Sequence, residues 1–352
     1  MDNIKCERVF VCGAGHQGLT MAAHLALNGV KVTLWNRSSK NIEEVIATRE
    51  IHCKGVVNGI AQIEKASSDI NEVVSDFVMV TTSSSAHKNV ARKLAPFVHK
   101  EMIIILNPGR TFGAIEFANT LIECGVKELP QIAETQTIIY TCRKSGKNNV
   151  TVFALKEGVK IAAIKGSDIN TIVDQIPECI RNYFTPTNSL LDTSLTNVGM
   201  ILHCAPVLMN IGWIESTKVD FKYYYDGISF SIAAFLEKID GERQEVAKAM
   251  GCKIESVADW LKRTYHVTGN SLYECIRNNN DYKEIDAPST LKCRYLLEDV
   301  PNGLVPIESM GQVYGVSTPN ISLVIDLANS VMNMDFRKTG RAYGTAIIER
   351  YI

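Results

Sequence analysis

A chain of 352 residues exceeds what one hydrophobic core usually serves, so two domains are the starting expectation. With 46% hydrophobic and 21% charged residues it carries enough apolar material for real cores, which argues against a disordered chain. Thirty-seven basic residues stand against 38 acidic ones, a formal charge of -1, so there is no basic excess to neutralise a phosphate backbone and no nucleic-acid partner is expected.

The start, Met1-Asp2-Asn3-Ile4-Lys5-Cys6, is polar and lacks the apolar h-region of a secretory signal. No run of about twenty apolar residues occurs, so no membrane span is expected. Ten cysteines are scattered without a Cys-x-x-Cys pair or a zinc-like Cys/His spacing. They read as reduced thiols of a cytoplasmic protein with no metal site.

Taken in chain order, Arg8-Val9-Phe10-Val11-Cys12 is a compact strand, residues 19–28 are helix-like, and residues 30–35 form the next strand. Residues 77–82 and 102–106 are buried strands flanking a helical stripe over 86–97. Strand, helix and strand at this spacing imply right-handed βαβ units in a mainly parallel sheet. After Pro130, residues 137–142, 150–155 and 159–164 read as antiparallel edge strands closing that sheet, and 173–183 as one more helix with Pro177 in its first turn. From about residue 190 the strand signal vanishes. Residues 195–214 read as a long helix bent by Pro206. Residues 228–238 and 242–250 read as two helices, with Asp240 capping the second and Gly251 ending it. Residues 254–261 and 321–332 continue the helical theme. The apolar 321–332 stripe packs either internally or against a second subunit, which keeps a homodimer among the expectations. The fold expected is an α/β domain over 1–188 followed by an all-α domain over 189–352.

Gly13-Ala14-Gly15-His16-Gln17-Gly18 follows the first strand and opens the first helix. Gly13 suits a tight turn, Gly15 admits a pyrophosphate to the backbone, and Gly18 lets the helix pack closely. The loop, with His16 and Gln17 in it, therefore marks a dinucleotide site of the Rossmann type. The second strand ends in Trp35-Asn36-Arg37-Ser38, without the acid that would grip a ribose 2′-hydroxyl. Arg37 and Ser38 suit a 2′-phosphate, which favours NADP(H) over NAD(H). The other reading is a solvated basic turn. Thr81 to Ser85 and Asn107-Pro108-Gly109-Arg110 follow buried strands and are expected to line the cleft or to be plain turns.

In the helical half, His203 lies within the most apolar helix. It is either a buried structural histidine or an acid/base group. Arg294 and Asp299 stand five residues apart beside Val300-Pro301-Asn302-Gly303, where a helix should break. They form either a surface ion-pair network or a pair aimed into a cavity.

Beyond the glycine loop, ordered motifs run through both halves. They are Ala133-Glu134-Thr135, Tyr140-Thr141-Cys142-Arg143, Leu202-His203-Cys204-Ala205-Pro206, Tyr224-Tyr225-Asp226-Gly227, Asp240-Gly241-Glu242-Arg243, Arg294 to Pro301, and Asp335 to Arg341. In these the chain resembles the opine dehydrogenases, the octopine/nopaline dehydrogenase superfamily. The resemblance implies reductive condensation of an α-keto acid with the amino group of an amino acid, through an imine, using a nicotinamide cofactor. It also implies His203 as acid/base, Asp299 as its carboxylate partner and Arg294 as the substrate-binding arginine. The family pattern often has proline directly after the histidine, whereas this chain delays it to Pro206. Rival expectations are a 2-hydroxy acid or other carbonyl-reducing dehydrogenase, and a non-catalytic nicotinamide-nucleotide sensor.

Overall fold

The computed structural model describes residues 8–216 and 220–352. The chain divides into two units. One comprises Met1–Ser194 together with Arg350–Ile352, and the other Leu195–Glu349. The division falls six residues beyond the expected 188/189 boundary, and the last three residues return to the first unit. Tyr351 holds them there: its hydroxyl donates to Asn119 at 2.9 Å, and its carbonyl accepts from the Lys165 amide at 2.8 Å.

The first unit is built on twelve strands: β1 (Arg8–Cys12), β2 (Lys31–Trp35), β3 (Glu50–Gly55), β4 (Gly59–Gln62), β5 (Lys65–Ser67), β6 (Phe77–Val80), β7 (Ile103–Leu106), β8 (Gln131–Thr135), β9 (Tyr140–Lys144), β10 (Asn149–Leu155), β11 (Val159–Ala163) and β12 (Phe184–Pro186). Eight of them form one sheet in the order β12-β11-β8-β7-β6-β1-β2-β5, and the β11/β8 pair is its antiparallel step. Strands β6 and β7, Phe-Val-Met-Val and Ile-Ile-Ile-Leu, are buried along their whole length, as a parallel sheet covered on both faces requires. The chain runs from β1 outward to β2 and then returns to β6 on the other side of β1. That reversal opens a crevice at the carboxyl ends of β1 and β6.

Strands β9 and β10 do not close this sheet, contrary to the sequence expectation. They belong to a second, four-stranded sheet, β4-β3-β10-β9, in which β10 runs parallel to β3. The burial of β3 and β10 alternates, one side facing in, so a strand with a single apolar face serves here where the main sheet needs two. The inward residues Ile51, Cys53, Val150 and Val152 share a core with Leu19, Ala22 and Ala23 of the helix His16–Leu27. The expected helix over 173–183 is also broken. Ile169–Gln175 and Glu178–Arg181 are separate, and Ile176 is extended because the following Pro177 disfavours a helical predecessor.

The second unit is helical, with one isolated β-bridge, Lys222–Asp286, among the described residues. Its main helices are Gly199–Met209, Phe230–Ala249, Val257–Tyr265, Val305–Tyr314 and Pro319–Met332. Serines begin two of them: the Ser229 hydroxyl accepts from the Ile232 amide, and the Ser256 hydroxyl from the Asp259 amide. The expected break at Asp240-Gly241 does not occur, and Phe230–Ala249 is continuous. Asp240 is no cap. It lies buried one turn before Arg243, accepts its Nε at 2.9 Å, and takes the Val257 amide at 2.7 Å. Arg243 is fully buried and donates to the Leu195 and Glu255 carbonyls, so this packed ion pair outweighs the turn preference of Asp-Gly. Helix Pro319–Met332 buries Ile321, Val324, Ile325 and Ala328, while Leu323, Leu327 and Val331 stay exposed. No helix among the described residues is long and apolar enough to cross a membrane.

Candidate active site

The glycine loop leaves β1 with Gly13 at φ +116°, a conformation that side chains rarely adopt. A Cβ on Gly18 would stand 1.7 Å from the Gly13 carbonyl oxygen, so the first helix reaches the loop only because residue 18 is glycine. Thr81, just past β6, clasps the same turn by donating to the Gly13 carbonyl at 3.0 Å. At Gly15 a Cβ would meet nothing within 4 Å, so the backbone there lies open to a ligand. A cleft of about 660 Å³ begins at Gly13 and Gly15 and passes Asn36, Arg37 and Thr82.

Two polar atoms beside this loop, Gln17 Oε1 and Thr82 Oγ1, are buried without a hydrogen-bond partner. Open backbone at Gly15, orphaned polar atoms and cationic side chains fit a dinucleotide. Asn36 stands where an acid would hold a ribose hydroxyl. Its Oδ1 accepts from the Ala14 amide at 3.3 Å and its Nδ2 donates to the Ser38 carbonyl at 2.9 Å, which pins the end of β2 to the loop.

Of the residues expected at the cofactor, Gly13, Gly15 and Arg37 line the cleft, and Gly18 packs the helix against Gly13. His16, Gln17 and Ser38 do not line it. His16 Nδ1 instead accepts from the Lys144 amide at 3.3 Å, toward the second sheet. Thr81, Thr82, Ser83 and Ser85 line it as expected. Asn107 to Arg110 do not, and Gly109 packs against the buried Glu134, which takes the Ala114 amide and the hydroxyls of Thr193 and Ser194. Arg92 and Lys93, on helix His87–Leu94, also line the cleft, and sequence reasoning passed over them. Their signal was an adjacent basic pair on the helix that follows the serine-rich loop.

In the helical unit, His203 and Asp299 meet: Nδ1 and Oδ2 are 2.8 Å apart, with Asp299 1% exposed. His203 sits on helix Gly199–Met209, where Pro206 has no N–H to offer the Leu202 carbonyl four residues back. The buried Tyr223 hydroxyl fills that gap, donating to the carbonyls of His203 at 2.7 Å and Leu202 at 3.3 Å. The Leu202 carbonyl, left without its helical donor by Pro206, is thus satisfied from a side chain. The His203 ring stacks on Tyr295, centroids 4.0 Å apart at 12°.

Asp299 opens a π-helical turn, Val300–Leu304, rather than the expected break, and the chain continues into Val305–Tyr314. Such turns recur at functional sites. Gly303 admits the close approach, since a Cβ there would lie 2.7 Å from Met200 Cβ. From behind, the Arg341 amide donates to the Pro301 carbonyl at 3.0 Å, which accounts for the C-terminal motif.

Arg294 is 66% exposed, and its Nε donates to Glu298 at 3.0 Å. Among the described residues it makes no hydrogen bond or ion pair with His203 or Asp299, although the Arg294 and Asp299 charges both act on Tyr224. The Tyr224 hydroxyl is 3.3 Å from His203 Nε2. In the sequence it stands only within the Tyr224-Tyr225-Asp226-Gly227 motif, with no role of its own.

Among known families, residues 186–332 match the NAD/NADP octopine/nopaline dehydrogenase, alpha-helical domain. Residues 9–116 match ketopantoate reductase PanE/ApbA. The opine dehydrogenase of Arthrobacter sp. (strain 1C) is 36% identical over 341 residues, covering 96% of this chain and 94% of the relative. An octopine dehydrogenase solved with NADH and agmatine superimposes with a TM-score of 0.79 at 20% identity, covering 95% of this chain and 94% of that one. A yersinopine dehydrogenase with bound NADP+ gives 0.80 at 12% identity, covering 99% and 96%. These two solved structures share its fold. On its sequence kinship, the chain belongs to the opine dehydrogenases, nicotinamide-dependent oxidoreductases of the octopine/nopaline dehydrogenase family that act on CH–NH bonds.

Proposed function

We propose that this enzyme joins an α-keto acid to the amino group of an amino acid and reduces the resulting imine, with His203 as acid/base, Asp299 as its partner and Arg294 as the carboxylate anchor. The observation that carries the reading is the 2.8 Å pair between His203 Nδ1 and Asp299 Oδ2. Asp299 fixes the tautomer, which leaves Nε2 as the nitrogen able to take a proton, and its charge stabilises the imidazolium. Neutral His203 takes a proton as the amine adds to the keto carbon. The imidazolium returns one as the carbinolamine hydroxyl leaves as water. The Arg294 contact with Glu298 uses Nε, and its terminal nitrogens suit a substrate carboxylate. The nicotinamide nucleotide, when bound, supplies the hydride that reduces the C=N bond.

Gly13 and Gly15 would hold the pyrophosphate, with Gly18 keeping the helix close to the loop, and Arg37 would hold the 2′-phosphate. Three cations on one cleft, Arg37, Arg92 and Lys93, with an amide at Asn36 where a carboxylate would repel phosphate, support NADP(H) over NAD(H). The nine described cysteines are all thiols, which suits the cytoplasm, and exposed Leu323, Leu327 and Val331 suit a homodimer.

The deciding assay is oxidation of NADPH by pyruvate with and without a panel of amino acids. Dependence on an added amino acid supports the condensation. Equal rates without one would replace it with simple carbonyl reduction.

A further inference from the structure

Tyr224 is 5% exposed, and its ring is fixed by stacking on Tyr282 at 4.0 Å and 17° and by an edge contact with Tyr223 at 5.0 Å and 86°. Its hydroxyl lies 3.3 Å from His203 Nε2, the ring atom left over once Nδ1 is committed to Asp299. Among the described residues, His203 is the partner of that hydroxyl. With neutral His203, Nε2 is an acceptor and the phenol donates to it, so both groups are satisfied. With imidazolium, Nε2 becomes a donor, and the buried phenol proton loses its acceptor.

We propose that Tyr224 is a positioning residue for the proton transfer: its hydroxyl, donated to Nε2, fixes the His203 ring and keeps that nitrogen an acceptor until the proton arrives. The inference rests on the acid/base role of His203 proposed above. Burial raises the Tyr224 hydroxyl well above the ordinary tyrosine range, so the O–H stays in place as a donor at working pH. The other groups facing this pair are Asp299 on Nδ1, Tyr295 on the His203 ring face, Tyr223 on the backbone, and Tyr282 and Tyr265 beside Tyr224, with Arg294, Cys204 and Cys293 around the tyrosines. Asp299 accepts from the imidazole on one side and Tyr224 donates to it on the other, so the two hydrogen bonds fix the ring from both nitrogens.

The test is NMR titration of the histidine rings in the substrate-free protein, with the His203 signal assigned by its loss in His203→Gln. Tyr224→Phe keeps the ring and its stacking but removes the donor. The His203 midpoint should rise by roughly half to one pH unit, and the acid limb of kcat/KM for amine oxidation should move with it. Tyr282→Phe, which keeps the stacked ring and removes only the hydroxyl that meets Tyr265, should leave both where they are. An unchanged midpoint in Tyr224→Phe, or an equal shift in Tyr282→Phe, overturns the proposal. Should Tyr224→Phe prove unfolded by circular dichroism, 3-fluorotyrosine placed at 224 serves instead: a stronger donor lowers the midpoint, and no change overturns the proposal. Because the titration is read without substrate, its outcome is separate from that of the condensation assay.

Discussion

His203 and Asp299 are 96 residues apart in the chain and 2.8 Å apart in the fold. One rides on a helix that carries Pro206 in its interior, the other on the lip of a π-helical turn, and Gly303 is what lets these two pieces touch. His203→Ala should lower turnover about a hundredfold or more while nucleotide affinity, read by fluorescence quenching, stays nearly constant. Asp299→Asn preserves the shape but favours the wrong tautomer, so it should produce a comparable loss. Full turnover in either variant removes the pair from the chemistry.

The glycine loop yields a paired prediction. Gly15→Ala adds a methyl that touches nothing in the protein, so the melting temperature should hold while nucleotide affinity falls. Gly18→Ala drives a Cβ into the Gly13 carbonyl, so stability itself should drop by about 1–3 kcal/mol or more, read by denaturant titration.

For cofactor choice, Arg37→Asp should weaken NADPH roughly tenfold to a hundredfold relative to NADH, the worth of one charge-assisted contact. Equal losses for the two nucleotides would place the 2′-phosphate elsewhere.

Removing one half of the buried Asp240–Arg243 pair strands the other. Arg243→Met should destabilise the helical unit by about 3–5 kcal/mol, and replacing both residues together should recover much of it. Urea unfolding curves of the two variants decide this.

Acid sensitivity has one identifiable source in His24, which bonds the Tyr140 hydroxyl at 3.2 Å and is lowered below 6.5 by burial. The unfolded chain then binds a proton that the folded one resists, so stability present above pH 6.5 is lost as the pH falls through the folded value. His24→Phe should flatten that part of the stability-versus-pH curve, and an unchanged slope would exonerate the residue.

Much of the parallel sheet is legible locally, because β6, β7 and β1 beyond its exposed Arg8 are apolar runs that only a doubly covered sheet can use. The second sheet is not. Its strand β3 reads Glu-Ile-His-Cys-Lys-Gly, and its partner β10 lies about a hundred residues on, so neither composition nor spacing reports the pairing. Asp240-Gly241 misled for a related reason: the local turn chemistry was real, but Arg243 and the Val257 amide claimed the carboxylate. At the site, histidine, arginine and aspartate are distinctive by type, whereas Tyr223, Tyr224 and Tyr225 are chemically identical. Only the folded chain separates the hydroxyl that patches a broken helix from the one that meets the imidazole.

Arg243 grips the carbonyl of Leu195, the first residue of the helical unit, so that unit fastens its own entry point from within. The start of the helical unit is thus held by a side chain from its own interior, so loss of Arg243 would release the chain at Leu195 and at Glu255 together.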